Sequence, residues 1–201
     1  MALVADVAAA IRAGKPAIIP TDTVYGLACT PYRAAPVRAL QALKGRSSRQ
    51  PIALVAASVD LLLECVPELR GRGAVAARAL LPGPFTLVLG NPAERFPWLA
   101  GERPGTIGVR VPAVAGPARE LLEEVGAVAA TSANLHGGPD PRRLEDVPPE
   151  LIAVAIALDG GELPGTPSTV LDLTGAEPVV LREGAVPAAA ALARVRAALA
   201  E

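Results

Sequence analysis

The chain has 201 residues, of which 51% are hydrophobic, and its formal net charge is −1; these values fit one domain spanning residues 1–201 and exclude a globally basic nucleic-acid-binding surface. Aromatic residues make up 2% of the chain and there is one histidine, which excludes a base-stacking platform and a multi-histidine metal site. Two cysteines cannot form a disulfide framework, and the sequence shows neither a bilayer-length apolar run nor a signal-peptide pattern, so we expect a cytoplasmic protein.

The first half of the chain predicts helices that alternate with short buried strands. Apolar residues at helical spacing before Gly14 predict an opening helix, and the apolar run 17–19 before Pro20 predicts a strand. Pro36 suits the first turn of a second helix, and Ser58 can cap another. The remaining predictions are strands over 52–56 and 86–89 and a helix over 73–81.

The second half predicts strands with few helices between them. A stretch rich in glycine, proline and charge at 135–150 predicts a mobile surface loop, which is either a lid over a ligand or an ordinary loop. The interleaved elements indicate the α/β class, and consecutive strands indicate a mixed sheet. The predicted strands are 106–111, 127–131, 153–158, 168–173 and 178–182, and the predicted helices are 117–125 and 187–200.

The stretch from residue 17 to residue 46 combines two kinds of polar group. Hydroxyl-rich residues follow the first predicted strand, and this position suits a small polar substrate. A helical segment is expected after Gly26, and the cations Lys44 and Arg46 at its far end suit phosphate. The alternative is a helix C-terminus whose cations complement the helix dipole. The hydrogen-bonding residues after the strand are Thr21, Asp22, Thr23 and Tyr25.

Polar residues recur at the ends of the later predicted strands. Thr106 and Arg110 are four residues apart on one strand and therefore share a face, where a charge needs a protein or ligand partner. Ser132 and Asn134 share a face beyond a buried strand, and the alternative for them is a local turn. Two further residues of this kind are Ser168 and Arg182.

The acidic residues and the histidine leave several interpretations open. Asp22, Asp159 and Asp172 could bind Mg²⁺ or act as general bases, but each could equally cap a helix or stabilise a turn. His136 is interpreted as an ordinary loop histidine. The familiar phosphate-binding loops are missing, since no GxxxxGK[ST] occurs and no strand precedes the glycines near residue 71.

Six short motifs stand in a fixed order along the chain. They are PTDTVYGL (20–27), KGR (44–46), PGPFTLVL (82–89), TIGVRVP (106–112), TSAN (131–134) and PSTVLDL (167–173). Together they resemble the YrdC/Sua5 family of threonylcarbamoyl-AMP synthases, over the range from Pro16 to Gly184. The resemblance implies a single-domain twisted mixed sheet flanked by helices, with a concave cationic cleft on one face.

The resemblance also implies an activity. Members of this family make L-threonylcarbamoyl-AMP from L-threonine, bicarbonate and ATP, release pyrophosphate, and serve the threonylcarbamoyl-adenosine modification of tRNA. We therefore expect a nucleotidyltransferase whose Mg²⁺ is carried by ATP and whose product passes to a tRNA threonylcarbamoyl transferase complex. A weak contact with tRNA is a further expectation, and a membrane partner is not expected.

The family's functional residues transfer motif by motif. For threonine they are Thr23, Arg110, Ser132 and Ser168. For ATP they are Lys44, Arg46, Gln50, Thr106, Asn134, Arg142 and Arg182, of which Lys44 and Arg46 would be catalytic. No protein metal ligand is implied. The chain departs from the family pattern at Ser47, where many members carry proline, and at Val55, where some carry a histidine that contacts threonine. It resembles the short members, which lack the extra C-terminal domain.

The chemistry suits these residues, because all three substrates are anionic or carry a carboxylate. No histidine or cysteine is placed as a general base, so catalysis would depend on positioning and charge neutralisation. One alternative is a non-catalytic RNA-binding module of the same fold. Another is an enzyme of the dihydroxybutanone-phosphate synthase type, which uses acidic metal ligands and a sugar phosphate.

Overall fold

The computed structural model describes residues 2–45 and 50–200. The predictions for Arg46 and the departure at Ser47 therefore lie outside the described residues. Within these ranges, no helix combines the length and the apolar character that crossing a membrane would require.

The described residues form nine strands, seven α-helices and two short 3₁₀ helices, Pro97–Leu99 and Leu144–Asp146. The strands are β1 (Ala17–Ile19), β2 (Gly26–Cys29), β3 (Ala53–Ala56), β4 (Phe85–Gly90), β5 (Thr106–Arg110), β6 (Ala127–Ser132), β7 (Ile156–Ala157), β8 (Thr169–Asp172) and β9 (Val179–Arg182). The helices are α1 (Val4–Ala13), α2 (Ala34–Leu43), α3 (Val59–Cys65), α4 (Arg72–Leu80), α5 (Gly116–Val125), α6 (Pro149–Ile152) and α7 (Ala188–Ala200).

The local signals that predicted the first elements are confirmed. Gly14 ends α1 in the left-handed conformation with φ of 88°, which glycine adopts without steric cost. Ser58 caps α3, since its hydroxyl accepts a hydrogen bond from the Leu61 backbone N–H at 3.1 Å. Pro20 follows directly on β1, which covers the predicted residues 17–19.

The strands form one mixed sheet in the order β7-β1-β2-β6-β3-β5-β4-β8-β9. The pairs β1–β7, β3–β5 and β4–β8 are parallel, and the other five neighbouring pairs are antiparallel. The α/β class and the mixed sheet are therefore confirmed.

Strand β2 corrects the prediction of a helical segment after Gly26. Its four residues are all buried, and they pair with β1 on one side and β6 on the other. A buried apolar run of four residues shows no period that separates helix from strand. Two neighbouring strands decide its conformation, and only then does the chain enter α2.

Side-chain alternation divides the sheet into two faces. Leu87, Ile107 and Val109 join the larger apolar core, to which α2, α3, α4 and α7 contribute. Helices α1 and α5 pack together on the other face, where Val7 and Leu121 belong to a smaller core. The alternate residues of β4 and β5 lie on this second face and line the cleft described below.

The fully buried Tyr25 connects the loop after β1 to the loop after β7. Its hydroxyl lies 2.9 Å from Asp159 Oδ1 and 2.9 Å from the Gly161 carbonyl oxygen, and it accepts the Gly160 N–H at 2.9 Å. Burial is the main cause that raises the pKa of Tyr25 to about 12 from its ordinary value of 10.0. The neutral hydroxyl therefore stabilises the folded chain.

We expect Tyr25→Phe to lower the free energy of unfolding by about 1–3 kcal/mol at pH 8, because buried hydrogen-bonding groups lose their partner. The folded-state pKa is the higher one, so the stability that the hydroxyl confers is complete below pH 10 and is lost as the pH rises through about 12. Urea unfolding at pH 8 and pH 11 should show the difference between wild type and variant shrinking at pH 11. Equal stability of the two proteins at pH 8 would contradict this account.

Candidate active site

A cleft of about 670 Å³ lies on the second face of the sheet. Its floor consists of small or apolar residues of adjacent strands, including Val55, Val88, Gly108 and Ala130. Polar side chains surround this floor, which is the usual composition of a small-molecule site, and the volume lies in the range of such sites. Thr106 and Arg110 are at opposite ends of β5, about 13 Å apart for a strand of this length, so the cleft can accommodate an extended ligand.

The structure brings most of the predicted site residues to this cleft. Six of them line it: Gln50, Thr106, Arg110, Ser132, Ser168 and Arg182. Thr23 lies behind Arg110, and Lys44 and Asn134 contact Ser132 from behind. Arg142 is not among the lining residues, and Arg46 lies outside the described ranges. The roles given to these residues for threonine and ATP stay predictions.

Arg110 is nearly buried, and the loop after β1 holds its guanidinium. Its Nη2 contacts Asp22 Oδ1 and donates to Thr23 Oγ1 at 2.6 Å and to Thr21 Oγ1 at 3.4 Å. The second Asp22 oxygen accepts the Ala113 backbone N–H at 2.9 Å. The prediction that the charge of Arg110 needs a partner is confirmed. Side chains of the protein itself supply partners for its guanidinium.

Lys44 is buried, whereas the sequence predicts an exposed residue at the tip of a helix. It caps α2 at the C-terminus, but the residue is 1% exposed and its ammonium reaches the end of β6. There Nζ donates to Asn134 Oδ1 at 2.8 Å, contacts the Ser132 carbonyl oxygen, and lies 3.4 Å from both Ser132 Oγ and Thr131 Oγ1. The ammonium thereby holds the TSAN segment in place at the edge of the cleft.

Ser168 and Arg182 form the opposite wall of the cleft. Arg182 donates to the Ser168 carbonyl oxygen at 2.8 Å from Nη2 and at 3.2 Å from Nε, and Ser168 Oγ lies 2.8 Å from Thr86 Oγ1. Burial and the neighbouring Arg110 lower the pKa of Arg182, while Asp140 opposes this shift. Burial is the main cause of the lowered pKa of Arg182, and the nearby guanidinium of Arg110 adds a smaller contribution.

Two buried polar atoms at the cleft have no hydrogen-bond partner in the described part of the chain. They are Gln50 Oε1 and Arg110 Nε. Buried polar groups are nearly always paired in folded proteins. A ligand that offers a hydrogen-bond donor to Gln50 and an acceptor to Arg110 would satisfy both groups.

The structure adds residues to which the sequence gave no specific role with threonine or ATP. Thr21 and Arg103 line the cleft, and Arg103 donates to Asp172 in a salt bridge of 2.8 Å. Arg103 stands only three residues before Thr106, so its proximity to a strand of predicted site residues was the available signal. Of the described arginines, three thus line the cleft, but two of these pair with carboxylates, and the cationic character of the cleft stays a prediction.

The structure shows which contacts each of the three aspartates makes, for which the sequence left several interpretations open. Asp159 and Asp172 accept backbone N–H groups two residues ahead, each at 2.9 Å, and so stabilise turns. Asp22 instead pairs with Arg110. Within residues 2–45 and 50–200, no group of three or more histidine, cysteine or acidic residues is placed to hold a metal ion.

Arg142 and the predicted lid make contacts away from the cleft. Arg142 and Arg143 both pair with Glu162, at 2.8 and 2.5 Å. The backbone of this loop is also bonded, since the Pro141 carbonyl oxygen accepts from Tyr25 N–H and the Arg142 carbonyl oxygen from Leu163 N–H. The ATP contact of Arg142 and the lid both stay predictions.

Comparison with known proteins places the chain among related sequences. The model of the Sua5/YciO/YrdC family, described as "Telomere recombination", matches residues 9–184. The threonylcarbamoyl-AMP synthase of Stenotrophomonas maltophilia is 35% identical over 162 residues, which are 78% of this chain and 85% of that protein. The threonylcarbamoyl-AMP synthase of Pyrococcus abyssi is 36% identical over 181 residues, which are 88% of this chain and 52% of that protein.

A solved structure supports the same grouping. The crystal structure of P. abyssi Sua5 complexed with L-threonine superposes with a TM-score of 0.83 at 34% identity, covering 92% of this chain and 54% of that chain. The chain therefore spans about half of the P. abyssi protein. The twisted mixed sheet flanked by helices is confirmed by this match.

Proposed function

We propose that the chain synthesises L-threonylcarbamoyl-AMP from L-threonine, bicarbonate and ATP and releases pyrophosphate. The proposal starts from the fact that the chain belongs to the Sua5/YciO/YrdC family. The observation that carries this proposal is that six residues assigned by the family motifs to threonine or ATP line a single cleft. Both substrates must meet for the reaction to occur, and one shared cleft provides that proximity.

The reaction proceeds in two balanced steps. The neutral amine of threonine attacks the carbon of bicarbonate, a C–N bond forms and water leaves, which gives the carbamate. A carbamate oxygen then attacks the α-phosphorus of ATP, and the bond to the β-phosphate oxygen breaks to release pyrophosphate. Negative charge develops on the oxygens of the transferred phosphoryl group and on the departing pyrophosphate, so donors that are fixed before the reaction stabilise the transition state.

The residues at the cleft divide this work between them. In this proposal Arg110 binds the threonine carboxylate, and Arg182 and Arg103, which also line the cleft, would contribute positive charge for the nucleotide phosphates. Lys44 acts by holding Asn134 and Ser132, of which Ser132 lines the cleft. Mg²⁺ would enter with ATP and neutralise part of the phosphate charge.

The wider role follows from the product. L-threonylcarbamoyl-AMP is a mixed anhydride, and its acyl group has to pass to an acceptor. We infer that this chain works in the cytoplasm and hands the product to a tRNA threonylcarbamoyl transferase complex, with at most weak contact to tRNA itself. The near-neutral net charge of −1 fits a protein that does not depend on nucleic-acid binding.

We expect pyrophosphate release to require ATP, L-threonine and bicarbonate together, since the attacking group forms only from the last two. A coupled pyrophosphate assay with each substrate omitted in turn measures this dependence. Equal pyrophosphate release without threonine would overturn the synthase proposal. Tight RNA binding without any pyrophosphate release would favour the non-catalytic RNA-binding module.

A further inference from the structure

We propose that Asp22 is a positioning residue: it holds the Arg110 guanidinium so that the Nε–H remains available for the carboxylate of the amino-acid substrate. The inference rests on the proposed function in taking that substrate to be L-threonine. Asp22 makes no contact of its own with the reacting atoms in this account and acts only through Arg110.

The carboxylate of Asp22 joins two separate parts of the site. One oxygen contacts Arg110 Nη2, and the other accepts the Ala113 backbone N–H at 2.9 Å. Ala113 lies three residues beyond Arg110, after the end of β5. Asp22 therefore fixes both the tip of the arginine and the backbone that follows it, relative to the loop after β1.

The contacts leave Nη2 fully occupied. This nitrogen carries two N–H groups, and three acceptors surround it, from Asp22, Thr23 and Thr21. Nε makes no hydrogen bond to the described residues although it is buried. The guanidinium is thus anchored through one nitrogen, while the Nε–H of this cleft-lining residue has no acceptor in the described residues.

The burial of the pair indicates a function beyond stability. The side chains of Arg110 and Asp22 are 11% and 8% exposed, and burying two charges costs about as much free energy as their attraction returns. A buried donor without a partner adds to that cost. An anionic ligand group at Nε would remove this deficit, and the carboxylate of an amino acid forms strong charge-assisted hydrogen bonds with a guanidinium.

Asp22→Asn tests this role with little change in size. Asparagine replaces one of the two carboxylate oxygens with an NH₂ donor, so either Arg110 or the Ala113 N–H loses the acceptor that it has in the wild type. Loss of one charge-assisted hydrogen bond predicts that KM for L-threonine rises about 10- to 100-fold, while KM for ATP changes by less than about 2-fold. Equilibrium titration should show that the variant also loses most of the wild-type preference for L-threonine over L-threoninamide, which lacks the carboxylate.

Two comparisons separate positioning from a structural role. Asp60→Asn removes another aspartate that pairs with an arginine, Arg78, on the exposed surface, and it should leave both KM values unchanged. In an Arg110→Ala background, Asp22→Asn should have little further effect on threonine binding, because residues that act as a unit are not additive. Thermal midpoints are measured for every variant.

The outcomes also separate this inference from the proposed function. Threonine-dependent turnover in the wild type, with an unchanged threonine-to-threoninamide preference in Asp22→Asn, would overturn the positioning role and leave the function intact. Equal increases of KM for threonine and ATP, or full additivity with Arg110→Ala, would likewise show a structural role only. A wild-type protein that neither binds nor uses threonine would overturn both.

Discussion

Lys44→Met is expected to reduce kcat/KM by about 10²- to 10³-fold, because the ammonium that holds Ser132 and Asn134 in place beside the cleft is lost. It should also lower the free energy of unfolding by about 2–5 kcal/mol, because the Ser132 carbonyl oxygen and Asn134 Oδ1 each lose a buried donor. The sequence alone predicts the first effect and not the second, since a cation at an exposed helix tip could be removed with little change in stability. Because the Lys44 ammonium is buried, the same substitution is expected to lower both activity and stability.

Steady-state kinetics and urea unfolding of the same preparations measure both effects. Arg38→Met is the matched control, because Arg38 is an exposed cation on the same helix, and it should change neither quantity. Full stability with lost activity would show that Lys44 serves the phosphates directly. Lost stability with full activity would show that Lys44 only stabilises the C-terminal end of α2 and has no role in the reaction. Arg46 lies outside the described residues, and because the family motifs make it catalytic as well, we expect a similar loss of activity for Arg46→Ala.

Local pattern was sufficient for the parts of the site that lie on single strands. The spacing of Thr106 and Arg110 predicted that they share a face, and both line the cleft with Gly108 between them. The apolar run of β1 ended at Pro20 as expected. In these cases, side-chain alternation and backbone chemistry act over a few residues, so the sequence contains the required information.

The contacts that local pattern could not supply join distant parts of the chain. Lys44 meets Asn134 across 90 residues, and Asp22 meets Arg110 across 88. Neither pairing has a periodic signal, because it depends on which strands become neighbours. The same reason explains why β2 was missed, since its strand conformation depends on β1 and β6. Long-range pairing decides such segments over their intrinsic preference.

The wild-type enzyme is expected to favour L-threonine over L-valine by about 10⁴-fold in kcat/KM. The two amino acids are nearly isosteric, so only hydrogen bonds to the hydroxyl can separate them. A site that pairs with a substrate hydroxyl leaves its own buried polar groups unpaired when the hydroxyl is absent. The cleft offers such groups, since Thr21, Ser132 and Ser168 line it and Gln50 Oε1 lacks a partner in the described residues. Serine keeps the hydroxyl and loses one methyl group, for which about 10- to 200-fold is expected.

Pyrophosphate release with each amino acid, followed by competition between pairs, gives the ranking threonine, serine, valine. Gln50→Leu provides the decisive comparison, because it replaces the unpaired acceptor with an apolar side chain of similar size. The family motifs assign Gln50 to ATP, but if its Oε1 accepts the hydroxyl proton of the amino acid, this variant should reduce the preference for threonine over valine. An unchanged preference would assign the hydroxyl to Ser132, Ser168 or Thr21 instead. Equal use of valine by the wild type would show that these hydroxyls do not form an amino-acid site, because a merely apolar pocket cannot reject valine.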